Sequence, residues 1–189
     1  MSRPRDYQIL VPDGWFRISL DGAARYKAIT TLVNRQFRGL DNVPQLKLDT
    51  RKALRHVADA AYANGGIEMY VALQTATGFP LPASLIVSLT PPHEDPAAAV
   101  TPDRLAGSLA GQGGEVTLVD LRAGQAVRVR HPDTGSSGQP GLEYRLDMHV
   151  PVPDSSSYLI LSFSTPMNPL ADPMTDLFDT IASTLRWVR

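Results

Sequence analysis

Residues 142–150 have the sequence LEYRLDMHV, in which apolar and polar side chains alternate without interruption. This alternation is typical of a β-strand with one buried and one polar face. Shortly after it, residues 158–163 are apolar on both faces except for Ser162. A strand of that kind is covered on both sides, so the pair predicts the middle of a sheet that carries other structure on its faces.

Further short segments of strand character lie on either side of this pair. Residues 7–11 and 15–20 flank Pro12-Asp13-Gly14, a strong turn signal, and are expected to form a hairpin. The remaining predicted strands are residues 67–73, 83–89, 116–121 and 125–130.

Apolar residues at spacings of three and four predict helices between these strands. The predicted helices are residues 21–38, a second helix within 44–64, a short one over 101–110, and a terminal helix from Asn168 or Asp172 to Val188. Because predicted hairpins alternate with helices, the order favours an α+β fold with an antiparallel sheet and helices on its faces over a doubly wound parallel sheet.

Composition limits the class of protein. The 189 residues are 43% hydrophobic with a net charge of −1, which excludes a disordered chain and suits one domain over residues 1–189. The absence of cysteine excludes disulfides, thiolate metal sites and a cysteine nucleophile. The apolar run before Pro12 is too short for a secretory signal, and no segment is long enough to insert into a membrane, so we expect a cytoplasmic protein.

The charge is unevenly distributed. Residues 1–55 hold eleven Lys/Arg and five Asp/Glu, a net charge of +6, whereas residues 56–189 hold seven and fourteen, a net charge of −7. The two regions can neutralise each other within one fold or across a homo-oligomer, or the basic region can bind an acidic partner. No nucleic-acid signature is present. Arginine outnumbers lysine 15 to 3, which with abundant alanine suggests a bacterial source of high GC content.

The chain carries no recognisable catalytic or metal-binding motif. The four histidines lack metal-ligand spacing, no G-x-S-x-G sequence occurs, and the glycines at 111–114 follow a predicted helix, the reverse of a dinucleotide-binding loop. We therefore expect no metal, no cofactor and no catalytic residue, although a Ser–His site using His131 or His149 stays open as an alternative.

The most distinctive polar constellation lies on two predicted strands that flank the loop at 131–141, which is expected to be mobile. If these strands pair, their charged faces align in cross-strand ion pairs. Such a face either recognises a charged partner or is exposed to solvent, with its charged side chains paired with one another. The candidate residues are Arg128 and Arg130 on the first strand and Glu143, Arg145, Asp147 and His149 on the second. A second candidate is the basic stripe Lys47, Arg51 and Arg55 on the predicted helix within 44–64.

Two terminal motifs resemble those of PsbP-like proteins. These are the segment from Tyr7 to Trp15, which ends in Val-Pro-Asp-Gly-Trp, and the closing segment from Phe178 to Trp187. The resemblance implies a three-layer α/β/α sandwich with a mainly antiparallel sheet of about six to eight strands and three to four helices. The family comprises binding and accessory modules, including actinobacterial lipoproteins, and has no shared catalytic centre. This chain lacks the lipid-attachment cysteine.

The sequence thus favours a non-enzymatic, cytoplasmic module that binds another protein and serves a bacterial assembly, such as a specialised secretion system. The alternative is a small-molecule-binding protein, or an unrecognised hydrolase, with a cleft beside the loops at 91–100 and 131–141.

Overall fold

The computed structural model describes residues 6–22, 24–39, 42–72, 83–92, 99–131, 144–166 and 171–188. The elements, in chain order, are β1 (Asp6–Gln8), β2 (Trp15–Ser19), α1 (Ala24–Gln36), α2 (Pro44–Ala63), β3 (Gly66–Ala72), β4 (Ser84–Leu89), α3 (Pro102–Ala110), β5 (Glu115–Leu121), β6 (Gly124–His131), β7 (Tyr144–Pro151), β8 (Tyr158–Thr165), α4 (Ala171–Ser183) and β9 (Arg186–Val188).

Seven of these strands form one sheet in the order β2-β3-β4-β8-β7-β6-β5. Every neighbouring pair is antiparallel. The strand β8 lies at the centre of the sheet, as predicted, and Leu161 and Phe163 are fully buried on one of its faces. On the other face Ile160, Ser162 and Ser164 are only half-buried, so the predicted cover on both sides is incomplete. The expectation of a mainly antiparallel sheet is confirmed.

The last helix covers one side of the sheet, which we call the α4 face. Phe178 of α4 stacks on Phe163 with ring centroids 4.8 Å apart, and Leu85, Leu146 and Leu161 belong to the same core. Stacking and the large apolar area buried by these side chains hold the helix on the sheet.

The other three helices cover the opposite side, which we call the three-helix face. Helices α1 and α2 pack on β2 and β3, where Ile18 and Met69 meet Ile29, Leu32 and Ala58. Helix α3 packs on β5 and β6. Helices therefore lie on both faces of the antiparallel sheet, which confirms the predicted three-layer α/β/α sandwich.

The predicted N-terminal hairpin is wrong. Strand β1 does not pair with β2 but runs antiparallel to β9, with Asp6 opposite Val188 and Gln8 opposite Arg186. The hydroxyl of Tyr7 donates a hydrogen bond to Glu68, which places this two-stranded ribbon on the α4 face. A turn signal such as Pro12-Asp13-Gly14 fixes a change of direction but not the partner of the strand that precedes it.

The terminal helix is also shorter than its apolar spacing predicts. It ends at Ser183, where the amide of Thr184 donates to the carbonyl of Ile181 in a final tight turn, and residues 186–188 form β9. The expected helix to Val188 is therefore wrong, because apolar spacing over so few residues does not distinguish a helix from a strand, and Trp187 and Val188 lie in a strand that pairs with β1.

The turn between α2 and β3 sets the position of α2 on the sheet. Gly65 has φ +80, which favours glycine, and a Cβ atom on Gly66 would lie 2.6 Å from the carbonyl oxygen of Ala61. The chain therefore reverses direction within this short turn, and α2 packs closely on β3. Among the described residues, no helix combines the length and apolar character needed to cross a lipid bilayer.

Candidate functional site

The two strands that carry the predicted charged constellation do pair, but with a register that separates its members. Arg128 lies opposite Met148, and Arg130 lies opposite Leu146. Residues that lie opposite each other share a face, so both arginines are on the α4 face, whereas Arg145, Asp147 and His149 are on the three-helix face. The predicted alignment of one charged face is wrong. Glu143 lies outside the described residues.

Arg128 and Arg130 attach α4 to the sheet. Arg128 donates to both carboxylate oxygens of Asp179, at 3.0 and 3.2 Å, and its side chain is only 13% exposed. Arg130 donates to the exposed Asp172 at 3.3 Å and lies over the ring of Tyr144. Both arginines therefore pair with carboxylates of α4.

Asp147 is a buried carboxylate at the centre of a polar cluster on the three-helix face. Its Oδ2 lies 2.7 Å from His131 Nε2, and Arg145 donates to both of its oxygens, from Nε at 3.1 Å and from Nη2 at 2.7 Å. Burial alone would raise the pKa of Asp147, but hydrogen bonds from His131, Arg145 and Ser162 and the charge of Arg145 outweigh it and hold the pKa at about 2. The carboxylate is therefore ionised and fully engaged.

The same contacts fix Arg145. Its side chain is 51% exposed, although Nε and Nη2 are both held by Asp147. A planar guanidinium held at two donors keeps one orientation and loses little further freedom when it binds an anion. Arg145 is thus an oriented cation that solvent reaches.

His149 lies two residues further along the same face and is half-buried. Burial lowers its pKa below the usual value, although the charge of Asp147 opposes the shift. His149 is therefore neutral at pH 7. Its ring adds a donor and an acceptor to the face without adding charge.

Strands β4, β8 and β7 lie between the strands that α2 and α3 cover, and we call this strip of the three-helix face the central groove. Adjacent strands lie about 4.8 Å apart, so the two helix axes are separated by roughly 20 Å, and subtracting one helix diameter leaves an opening of roughly 10 Å. Most floor side chains are half-buried, and Arg145 is exposed. They are Ser84, Ile86 and Ser88 on β4, Ile160, Ser162 and Ser164 on β8, and Arg145, Asp147 and His149 on β7.

Helix α2 forms one wall of this groove with an apolar stripe. Ala58 and Ala61 face the sheet, and Asp59 and Tyr62 face α1, where Arg25 pairs with Asp59 at 2.9 Å and lies over the Tyr62 ring. Since α1 packs on β2, the flank of α2 opposite α1 points towards β4 and the groove. This flank carries Leu46, Ala53, Val57 and Ala60, all exposed, with Leu46 at 55% and Val57 at 42%.

The predicted basic stripe on α2 does not line the groove. Lys47 and Arg51 are half-buried on the side of the helix that faces the sheet, and Arg55 lies over the ring of Tyr26 from α1. The Nε of Arg51 is buried and has no hydrogen-bond partner among the described residues. These three residues therefore do not form one exposed surface.

Sequence reasoning named Arg145, Asp147, His131 and His149 but missed the serines and the apolar wall. A signal for the serines exists, because Ser84, Ser88, Ser162 and Ser164 recur at even spacing within two otherwise apolar strands. Such small polar residues on one face of central strands indicate a sheet surface that is not fully packed.

The alternative cleft beside two loops falls partly outside the described residues, which exclude 93–98 and 132–143. Within the described part, His131 is the last residue of β6 rather than a loop residue. No cluster of three or more potential metal ligands occurs in that part of the chain.

Comparison with known proteins finds no matching family and no matching curated protein. Among solved structures, the chain is similar to the solution structure of cyanobacterial PsbP from Synechocystis sp. PCC 6803, at 14% identity with a TM-score of 0.47. The match covers 96% of this chain and 86% of that chain. This is the family that the terminal motifs resemble, and at this identity the likeness is one of fold.

Proposed function

We propose that this chain is a non-enzymatic protein-binding module whose central groove receives an extended segment of a partner protein. The observation that carries the proposal is the exposed apolar flank of α2 beside a floor of three central strands whose side chains are only partly covered. Isolated exposed apolar residues are ordinary, but four on one helix flank beside the central groove support a contact surface.

The dimensions of the groove suit an extended chain. An opening of roughly 10 Å admits one strand-like segment, and a floor strand of six to eight residues matches a segment of about the same length. Apolar side chains of the partner would cover Leu46 and Val57, while the serines on the floor would bond polar groups of its backbone.

The chemistry of the polar cluster supports binding over catalysis. Asp147 accepts hydrogen bonds from Arg145 and His131, and with a pKa of about 2 it is too weak a base to take a proton near pH 7. The Nε2 atom of His131 is occupied by that carboxylate. In this proposal the cluster serves to orient the Arg145 guanidinium.

A small polar ligand is the second candidate for the groove. The Oγ atoms of Ser84 and Ser164 lie 2.6 Å apart on the floor, and His149 adds a neutral ring on the same face. A narrow channel with several convergent polar groups is typical of a small-molecule site. This candidate predicts that a groove variant abolishes binding of a metabolite while leaving partner capture unchanged.

The test for the protein partner is site-specific photo-crosslinking in the native host. A photoreactive residue is placed at Leu46 or Val57 in the groove wall, and at the exposed Lys27 of α1 as a control. We expect one protein to be captured from both wall positions and not from the control, and the purified partner to lose binding to V57K. Equal capture from Lys27, or unchanged binding of V57K with an unaltered melting temperature, would count against the proposal.

The proposal also includes the setting expected from the sequence, which is a cytoplasmic accessory role in a bacterial assembly such as a specialised secretion system. The absence of cysteine suits a reducing compartment. Fractionation of the native host with antibodies to the chain tests the compartment. Recovery in a membrane or extracellular fraction would remove that part of the proposal.

A further inference from the structure

We propose that Arg145 forms a carboxylate-binding subsite in the central groove, so that the segment it receives carries an acidic group at that point. This inference rests on the proposed function for its biological partner, but the subsite itself can be tested without any partner.

The first support is the direction in which the Arg145–Asp147 pair presents its charges. The Asp147 side chain is 4% exposed and that of Arg145 is 51% exposed, so the anion lies beneath the cation. In the Arg128–Asp179 pair the order is reversed, since the arginine is 13% exposed and the aspartate 39%. The pair at Asp179 joins two elements, whereas the pair at Asp147 turns a guanidinium outward.

The second support is the fixed geometry of that guanidinium. Asp147 holds Nε and Nη2 of Arg145, and His131 and Ser162 hold the carboxylate in turn. A carboxylate that arrives from the groove therefore meets donors that are already oriented, and the entropy cost of binding is reduced. Because the Asp147 charge lies further from that ligand than the guanidinium does, the attraction by Arg145 outweighs the repulsion.

The third support is the chemistry of the neighbourhood. Arg145 lies opposite Ser164, so a small hydroxyl side chain and not a bulky one stands beside the guanidinium on the floor. On the other side, Arg145 lies opposite His131, whose side chain is 36% exposed. A planar carboxylate fits this setting and can accept from the guanidinium and from neighbouring hydroxyl groups.

The carboxylate has two sources in a protein, an acidic side chain and a C-terminus. Titrations of the full chain, followed by backbone amide NMR shifts at constant ionic strength, separate them with three probes. N-acetyl-glutamate α-amide carries only the side-chain carboxylate, N-acetyl-glutamine only the main-chain carboxylate, and N-acetyl-glutamine α-amide carries neither. We expect saturable shifts near residues 131, 145 and 164 with one or both charged probes and none with the neutral probe.

Arg17 provides a matched control. It is also exposed, at 65%, and is paired with the buried Glu68, but it lies on the α4 face. We expect R145Q to lower the affinity for the charged probe by about tenfold or more and R145K to lower it less. R17Q should leave this affinity unchanged. Equal shifts with charged and neutral probes, or unchanged affinity in R145Q of normal melting temperature, would overturn the subsite.

The outcome also separates the subsite from the proposed function. If the charged probe binds through Arg145 but no protein is captured from Val57, the subsite stands and the partner-binding function fails. If a partner is captured from Val57 and binds R145Q as tightly as the wild type, the function stands and the acidic recognition fails.

Discussion

Nε2 of His131 lies 2.7 Å from Oδ2 of Asp147, and the contact joins the last residue of one strand to the middle of the next. Asp147 is thus the common acceptor for groups on β6 and β7. Replacing it with asparagine removes the charge that holds both Arg145 and His131. We expect D147N to lower the free energy of unfolding by about 2 kcal/mol at pH 7, measured by urea denaturation.

The pH dependence of that effect has a defined sign. The folded-state pKa of Asp147 is lowered to about 2 from the usual value of 3.8. Its contribution is therefore complete above the unfolded-state pKa and is lost as the pH falls through about 2. The difference between wild type and D147N should shrink over this interval, while D176N, at an exposed position of α4, should differ little from wild type at any pH. A difference that is constant from pH 7 to pH 2 would contradict the assignment.

The hydrogen bond from the Tyr7 hydroxyl should stabilise the packing of the β1–β9 ribbon on the sheet. It donates to Glu68 at 2.8 Å, and burial together with this bond raises the pKa of Tyr7. A buried hydrogen bond to a carboxylate contributes about 1.5 to 3 kcal/mol, so Y7F should destabilise the chain by that amount and speed hydrogen exchange in β1 and β9. The control is Y26F, which removes an exposed hydroxyl bonded to Asp59 and should cost less. Equal losses in the two variants would show that burial of Glu68 is not the cause.

The two arginines beneath α4 should differ in their contribution to stability. R128M breaks a bidentate pair in which the arginine is largely buried, whereas R130M breaks a pair whose aspartate is 88% exposed. We expect a loss of about 1 to 2 kcal/mol for R128M and below about 1 kcal/mol for R130M by chemical denaturation. The reverse order would show that the Arg130 contact with Tyr144 is the stronger anchor of this helix.

Two glycines should respond in opposite directions to alanine. A Cβ on Gly66 would lie 2.6 Å from the Ala61 carbonyl oxygen, so G66A must displace α2 from β3 and should cost about 1 to 3 kcal/mol. A Cβ on Gly107, within α3, meets no atom within 4 Å, so G107A should stabilise the chain by up to about 1 kcal/mol. Thermal melts of both variants check this, and a neutral G66A would show that the α2–β3 turn can relax.

Most elements follow from local patterns, because each helix and strand leaves its own periodicity in the sequence. Residues 144–151 and 158–165 form the strands that their alternation and apolar character predict, and α3 lies within the predicted 101–110. The pairing of β1 with β9 does not follow from any local pattern, because its partners are separated by nearly the whole chain. Strand pairing at that distance depends on the shape of the completed core.

The grouping of the charged residues at the candidate site could not be predicted either, because it depends on the register between β6 and β7. Side chains alternate across a sheet with a period of two, so a shift of one residue between β6 and β7 exchanges faces. The observed register places Arg128 opposite Met148 and separates it from Arg145. The individual charged residues were therefore predictable, but their grouping required the pairing that only the folded sheet provides.

The pairing of β1 with β9 has a practical consequence for the experiments above. Asp6 and Val188 are direct neighbours in that ribbon, and the ribbon lies on the α4 face, with the whole sheet between it and the central groove. An affinity tag attached next to Asp6 and a fluorescent domain attached next to Val188 would project from the same place on the molecule. Both attachments leave the groove accessible, and reporters at these two positions would be held close together until the ribbon separates.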